Sequence, residues 1–276
     1  MRYCALLAAV SCGLGFSASG AAGAPQDGVP NFSPSAGIAW QSDTDEGLAP
    51  APTGPQPVGV DPAIFDKTHP YDMDTAFPVL DVSNPNLQPW VMDALKAQNE
   101  RVLSGKPLQP KSSSCWPHGL PAFMRYNGPT FIVQSANEVV IIKNQSSEVR
   151  RVLLNRKHSL QPIPSWYGES VGHYENGDTL VVDTIGLNDR THVDLFRTPH
   201  SSDLHVIERW TLIEGGREMA LKVYVEDPLA FKVPYELTKH YSRVQATWIE
   251  VACAENPIGP LEQGLEPMPQ ADRPDF

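Results

Sequence analysis

From Phe131 to Val251 the chain is a succession of short apolar runs broken by turn residues. The runs are Phe131-Ile-Val133, Val139-Val-Ile-Ile142, Val149 to Leu154, Tyr174 to Asp183, Leu204 to Leu212, Met219 to Val225 and Ala246 to Val251. Their β-branched and aromatic content, with Gly, Pro and Asn between them, predicts strands. So many short strands predict a mainly β fold, an antiparallel β-barrel or barrel-like sandwich. One segment has a different period. Trp90, Val91, Leu95 and Val102 recur near every 3.6 residues between Gln88 and Leu103, and Gly105-Lys-Pro107 follows. That predicts one N-terminal helix ahead of the strands.

Two hairpins are legible. Asn176-Gly177 suits a two-residue type I′ turn, whose central residues both need positive φ. It predicts Glu175 opposite Asp178, His173 opposite Leu180, Val171 opposite Val182 and Ser170 opposite Asp183. Gly215-Gly216 predicts the second, pairing Leu212 with Met219, Trp210 with Leu221, Glu208 with Val223 and Val206 with Val225. Glu208 is then the one charged residue on an otherwise apolar face. A carboxylate there is costly unless paired, neutral or functional, and desolvation moves its pKa toward the acid–base range. Glu208 is therefore the first catalytic candidate. The opposite face carries His205, Arg209, Lys222 and Glu226, with His205 opposite Glu226. Arg209 is the candidate for holding a carboxylate or phenolate, although a regular strand points it away from Glu208.

In the first hairpin one face holds Glu169, Val171, His173, Leu180 and Val182, and the other Ser170, Tyr174, Val181 and Asp183. Either face could be interior. His173 joins the catalytic candidates, and Asp183, Tyr174 and Trp210 the substrate-contacting ones. A third cluster, His200-Ser-Ser-Asp203-Leu-His205, follows a long polar loop, where functional groups concentrate. His200 would move protons, with Asp203 orienting it. His192, His200 and His205 with Asp194 or Asp203 form an alternative metal set, but no His-x-x-x-His pair supports it and no metal is assigned. Gly168-Glu-Ser170-Val-Gly172 has the letters of a hydrolase elbow without the strand–turn–helix that elbow needs. Phosphate-cradling and dinucleotide motifs are missing, so no cofactor is expected.

The 276 residues carry a net charge of -11, which disfavours nucleic acid and anionic membranes as partners. Only 19% of residues are charged and 27 are proline, a loop-rich globular composition. Residues 1–24 read as a signal peptide: Arg2, an apolar run from Ala5 to Phe16, then small residues with cleavage near Gly20 to Ala24. A lipoprotein at Cys12 is the lesser alternative. Residues 25–85 read as a proline-rich extended, partly disordered arm, 86–256 as a single β-rich domain with its helix, and 257–276 as a flexible tail. No segment other than the signal approaches the ~20 apolar residues of a membrane span. A periplasmic or secreted protein is expected. After signal removal Cys115 and Cys253 remain, and one disulfide is favoured over a zinc pair that would enlist His118.

Trp166-x-Gly168-x-Ser170-x-Gly172, Glu175, Asp178-Thr-Leu-Val-Val-Asp-Thr184 and Gly186-x-Asn188-Asp189 together resemble a group of exported bacterial proteins. So do His200-Ser-x-Asp203-x-x-Val206-x-Glu208-Arg209, Glu226-Asp227-Pro228 and Cys115-x-Pro117-x-Gly119-x-Pro121. The resemblance runs from Gln88 to Cys253 and carries no activity with it. Where the group has His and Arg, this chain has Glu169 and His173. The shape is weakly similar to lipocalin-like barrels. The expectation is an exported small-molecule enzyme, a cofactor-independent lyase for an aromatic or apolar metabolite. The alternatives are a non-enzymatic periplasmic carrier, a metal-dependent hydrolase, and a surface or carbohydrate-binding module using Trp40, Trp116 and the arm. Oligomeric state is not legible.

Overall fold

The computed structural model describes residues 28–33, 37–42, 49–50, 53–58, 79–104, 116–125, 128–194 and 197–251. The signal segment, Cys12, Cys115, Cys253 and the tail lie outside them, as does Gly105-Lys-Pro107. In chain order the elements begin with β1 (Ile38–Ser42), β2 (Ala49–Pro50), β3 (Pro57–Val58), β4 (Val79–Leu80) and helix α1 (Pro89–Leu103). There follow β5 (Thr130–Gln134), β6 (Glu138–Lys143), β7 (Glu148–Leu154), β8 (Glu169–Glu175), β9 (Thr179–Ile185), β10 (His205–Ile213), β11 (Glu218–Glu226) and β12 (Tyr235–Gln245).

The fold is a closed 9-strand β-barrel, in the order β1-β5-β6-β7-β8-β9-β10-β11-β12, with β12 returning to β1. β2 adds to the outer edge of β12, and β3 and β4 make a separate pair. Closure removes the free edges that strands otherwise expose. The β7–β8 seam is parallel and short, Leu153 to Val171 and Leu154 to Gly172, while the other pairings are antiparallel. Alternation predicts which side chains enter. Val139, Ile141 and Lys143 of β6 are buried, as are Glu148, Arg150, Val152 and Leu154 of β7. Val206, Glu208 and Trp210 of β10, and Leu237, Lys239 and Tyr241 of β12, follow the same rule.

The closing strand comes from inside the stretch read as an arm. Ile38–Ser42 pairs along its whole length with Ser242 to Gln245 and Tyr241, and its Trp40 is fully buried. Five residues are too few for alternation to stand out among prolines. Burial of Trp40 also removes it from any surface-binding role; its Nε1 donates to the Phe32 carbonyl at 2.9 Å. The β1–β5 seam pairs only Trp40 with Thr130, and Gln134 reinforces it by accepting the Phe32 and Ser33 N–H groups.

α1 begins with Pro89, whose missing N–H has no partner to lose in a first turn, and buries Val91, Leu95 and Val102. Trp90 lies off that face, 43% exposed, with Nε1 donating to the Leu229 carbonyl at 2.6 Å. Gln88 N–H donates to Ala230, and Gln98 pairs with Arg197. The helix thus packs on the connections β11–β12 and β9–β10, at one end of the barrel. A 3-10 turn, Ala122–Arg125, reaches interior side chains: the Tyr241 hydroxyl donates to the Met124 carbonyl at 3.0 Å, and Phe123 meets the Tyr167 ring edge-on.

The second hairpin has the predicted register, His205 opposite Glu226 included, but turns through Glu214–Gly216 with Ile213 opposite Glu218 as its last pair. The first hairpin differs. Asn176 and Gly177 have φ of 55° and 74°, as type I′ requires. Asp178, however, is bulged out, so Glu175 pairs with Thr179 and every pair slips by one residue. The bulged Asp178 carbonyl accepts from Leu212 N–H of β10 at 2.9 Å. As a result Ser170, Gly172 and Tyr174 line the interior with Leu180, Val182 and Thr184. His173 and Asp183 face out, with Glu169.

Gly172 permits the close approach of β7 and β8. A Cβ there would lie 2.8 Å from Val152 Cγ1 and 2.9 Å from the Val181 carbonyl oxygen. Gly172→Ala should therefore lose about 1–3 kcal/mol of stability, read as a lowered urea midpoint. An unchanged midpoint would show that the seam has slack.

Candidate functional site

The barrel encloses ionised side chains that hydrophobic burial alone would not place there. Arg150 and Glu208 are both fully buried and form a two-pronged ion pair, Nη1 to Oε2 at 2.8 Å and Nη2 to Oε1 at 2.7 Å. Arg150 Nη2 also reaches Ser170 Oγ at 3.0 Å and Thr184 Oγ1 at 2.9 Å, and Trp210 Nε1 donates to Glu208 Oε2 at 2.8 Å. Four consecutive strands, β7 to β10, meet in this network. Its planar fork suits a carboxylate as an ammonium would not.

Beside it stands a second group. Lys143 is buried, and its Nζ donates to Thr130 Oγ1 at 2.7 Å. It lies 5.6 Å from the centre of the Tyr241 ring and 5.8 Å from that of Phe123. Lys239, also buried, places its own Nζ 5.6 Å from the Tyr241 ring centre. Two ammonium groups thus share one aromatic ring, which stacks at 6.0 Å on Trp210. Burial, and then the Lys239 charge, pull the Lys143 pKa down to about 7, against an upward pull from Glu148. The amine is poised to take or give a proton near neutrality.

Glu148 accepts from the His118 backbone N–H at 2.7 Å and the Tyr167 hydroxyl at 2.5 Å, and its Oε2 meets His118 Nδ1 at 2.6 Å. Burial works to raise its pKa, but the His118 contacts and the Tyr167 bond outweigh it and hold the carboxyl below its ordinary value. Burial pushes the Tyr167 and Tyr241 hydroxyls well above theirs, and a neighbouring carboxylate, Glu148 and Glu208 respectively, raises each further.

Of the residues singled out from sequence, Glu208 and Trp210 enter this interior together. Tyr174 lines it too, accepting from Gln134 Nε2 at 2.8 Å. The other candidates lie elsewhere. His200 is buried in the β9–β10 connection with Nδ1 at 2.8 Å from the Ser201 carbonyl and Nε2 at 2.8 Å from Thr191 Oγ1. Both ring nitrogens are engaged, and Asp203 is exposed, so the His200–Asp203 dyad is not formed. Asp227 holds that corner, accepting from Ser201 N–H and Oγ and from Leu229 and Ala230 N–H.

His173 and Arg209 meet outside the barrel on Glu175, at 2.9 and 2.7 Å, and those two bonds, Arg209 first, hold the Glu175 carboxyl low. Asp183 faces out as well. Its Oδ1 bridges His158 at 3.1 Å and His205 at 2.9 Å, and His158 continues to Glu169 at 3.0 Å. Among the described residues no three His, Cys, Asp or Glu side chains are arranged to hold a metal ion.

Sequence reasoning passed over Lys143, Arg150, Lys239 and Glu148. The signal was present: each breaks an alternating apolar face, as Glu208 does, in Val139-x-Ile141-x-Lys143, Glu148-x-Arg150-x-Val152-x-Leu154 and Leu237-x-Lys239-x-Tyr241. His158 sits in an irregular loop, and nothing local marks it.

No protein-family model matches the chain, and no curated protein and no solved structure matches it either.

Removing one member of the Arg150–Glu208 pair strands the other charge in the core. Glu208→Leu should cost about 3–5 kcal/mol, while Arg150→Met with Glu208→Leu should recover most of that loss. Denaturation of Glu208→Leu, Arg150→Met and the double variant checks this, and an additive double variant would deny the coupling.

Lys143 has a folded pKa below its unfolded one, so the unfolded chain binds more protons between pH 7 and the ordinary lysine range. The burial cost is full below pH 7 and is relieved as pH rises above it, by up to about 1.4 kcal/mol per pH unit. Lys143→Met should therefore raise Tm more at pH 6 than at pH 9. An equal shift at both would contradict the lowered pKa.

Proposed function

We propose that this chain is an exported, cofactor-independent enzyme of the lyase type, acting on a small aromatic or apolar molecule through the groups inside the barrel. The observation that carries the reading is the buried Lys143 amine, near neutral at physiological pH, beside Lys239 and the Tyr241 ring. A lysine with so lowered a pKa is free to act as a base, which an ordinary surface lysine is not. In this reading Lys143 moves the proton. Lys239 stabilises the enolate or phenolate that forms, and Tyr241 and Trp210 offer aromatic faces to the substrate. Glu208 is given no acid–base part here, because its carboxylate is taken up as the ion-pair partner of Arg150, with Trp210 donating to the same Oε2. Export is supported by the signal-like residues 1–24 and by the resemblance to exported proteins.

The same pair of ammonium groups also suits a carrier, which would hold a small anion unchanged. Incubating the purified protein with pooled aromatic acids and phenylpropanoid dimers, followed by mass spectrometry, separates the two. The expected result is a consumed compound with an equal yield of product, at a rate that rises with pH through about 7. Lys143→Met should lower that rate at least a hundredfold, within the range of general acid–base catalysis, while Tm does not fall below that of the wild type. A compound retained unchanged would make the protein a carrier. Neither consumption nor retention would overturn both readings.

A further inference from the structure

The β7–β8 seam is parallel, so residues 155–168 must cross over outside the barrel. This crossover contains no helix or strand, yet its stem is firmly held. Asn155 N–H donates to the Gly172 carbonyl at 2.8 Å, and Ser159 N–H to Glu169 Oε1 at 2.7 Å. His158 spans Glu169 and Asp183. At the far end Ser165 N–H donates to the Gly186 carbonyl, and Asn188 N–H returns a bond to Ser165. Pro162 rests on Gly186 so closely that a Cβ there would lie 2.8 Å from it.

Between these anchors the crossover displays two aliphatic side chains. Leu160 is 102% exposed and Ile163 85%, the most exposed large hydrophobics among the described residues. Pro162 and Pro164 limit the backbone around them. Arg156 and Lys157, both exposed, stand on the same crossover. The nearby acids Glu169 and Asp183 already face His158. Arg156 and Lys157 thus place two positive charges on the crossover of a chain of net charge -11, beside a stem whose two carboxylates are turned to His158.

We infer that the 155–168 crossover is a docking element for an anionic lipid surface, with Leu160 and Ile163 entering the interface and Arg156 and Lys157 meeting the headgroups. Both side chains stand out to solvent, and a bilayer accepts exposed apolar groups without needing a preformed slot. Basic residues beside it add attraction that acts over about a Debye length, ~8 Å at physiological salt. Charges of the chain farther away than that are screened, so those of the crossover and its stem govern the contact.

The test is co-sedimentation of the purified protein with vesicles of phosphatidylglycerol and phosphatidylcholine in equal parts, against phosphatidylcholine alone. Binding to the anionic vesicles should be at least fivefold stronger. Leu160→Asp, Ile163→Asp and the pair Arg156→Glu with Lys157→Glu should each lower it at least fivefold. Lys222→Glu, on an exposed position of β11, should leave it unchanged. These are surface positions, and an unaltered Tm identifies a folded variant. Absent binding, equal binding to both vesicles, or binding insensitive to Leu160→Asp and Ile163→Asp would overturn the inference. So would a dimer in sedimentation velocity that Leu160→Asp dissolves while no vesicles are bound, because the tip would then belong to a contact between copies of this chain.

Discussion

The ion pair between Arg150 and Glu208 is the constraint around which the barrel is arranged. The ladder between β7 and β8 covers only two residue pairs, Leu153–Val171 and Leu154–Gly172. Backbone hydrogen bonding is therefore sparse at that seam. Arg150 leaves β7 and reaches Ser170 on β8, Thr184 on β9 and Glu208 on β10. Side-chain bonds supply the cross-linking that the ladder lacks. Such a network gains little net stability over well-packed apolar groups, but it tolerates only one relative placement of its strands. It joins β7 to β8, β9 and β10 in the register that the closed barrel has.

That placement also sorts the chemistry. Glu208 accepts from Arg150 and Trp210 and is left as a fixed, compensated charge. Lys143 donates to Thr130 and lies near two aromatic rings, with Lys239 close enough to discourage its charged form. Two buried ionisable groups a few strands apart thus take opposite roles, one structural and one poised to titrate. The outside of the same strands is ordinary by comparison. Glu175, Asp183 and Glu169 meet His173, His158, His205 and Arg209 in contact with water, where such pairs are weak.

Much of this is written in single features of the chain. Period-two alternation in Val206-x-Glu208-x-Trp210 and its partner run specified the register of the second hairpin, and with it the burial of Glu208. The 3.6-residue spacing of Val91, Leu95 and Val102 specified α1 and its buried face. The first hairpin shows the limit. Asn176-Gly177 does adopt positive φ, yet the Asp178 bulge exchanges the two faces of β8. The bulge is held by Leu212 N–H, a group 34 residues further on, and no local rule anticipates it. β1 was hidden for a related reason: five residues between prolines become a strand only because β12 and β5 are there to receive them.

The sequence by itself determined the kind of molecule: short strands of alternating polarity, one helix, a charge lodged on an apolar face. Those are local properties, set by backbone geometry and by the cost of exposing apolar surface. The tertiary structure alone decided which charges meet. Arg150 and Glu208 lie 58 positions apart, and Lys143 and Lys239 come together only when the barrel closes. Electrostatic pairing in a low-dielectric interior depends on distance in space, which only closure defines.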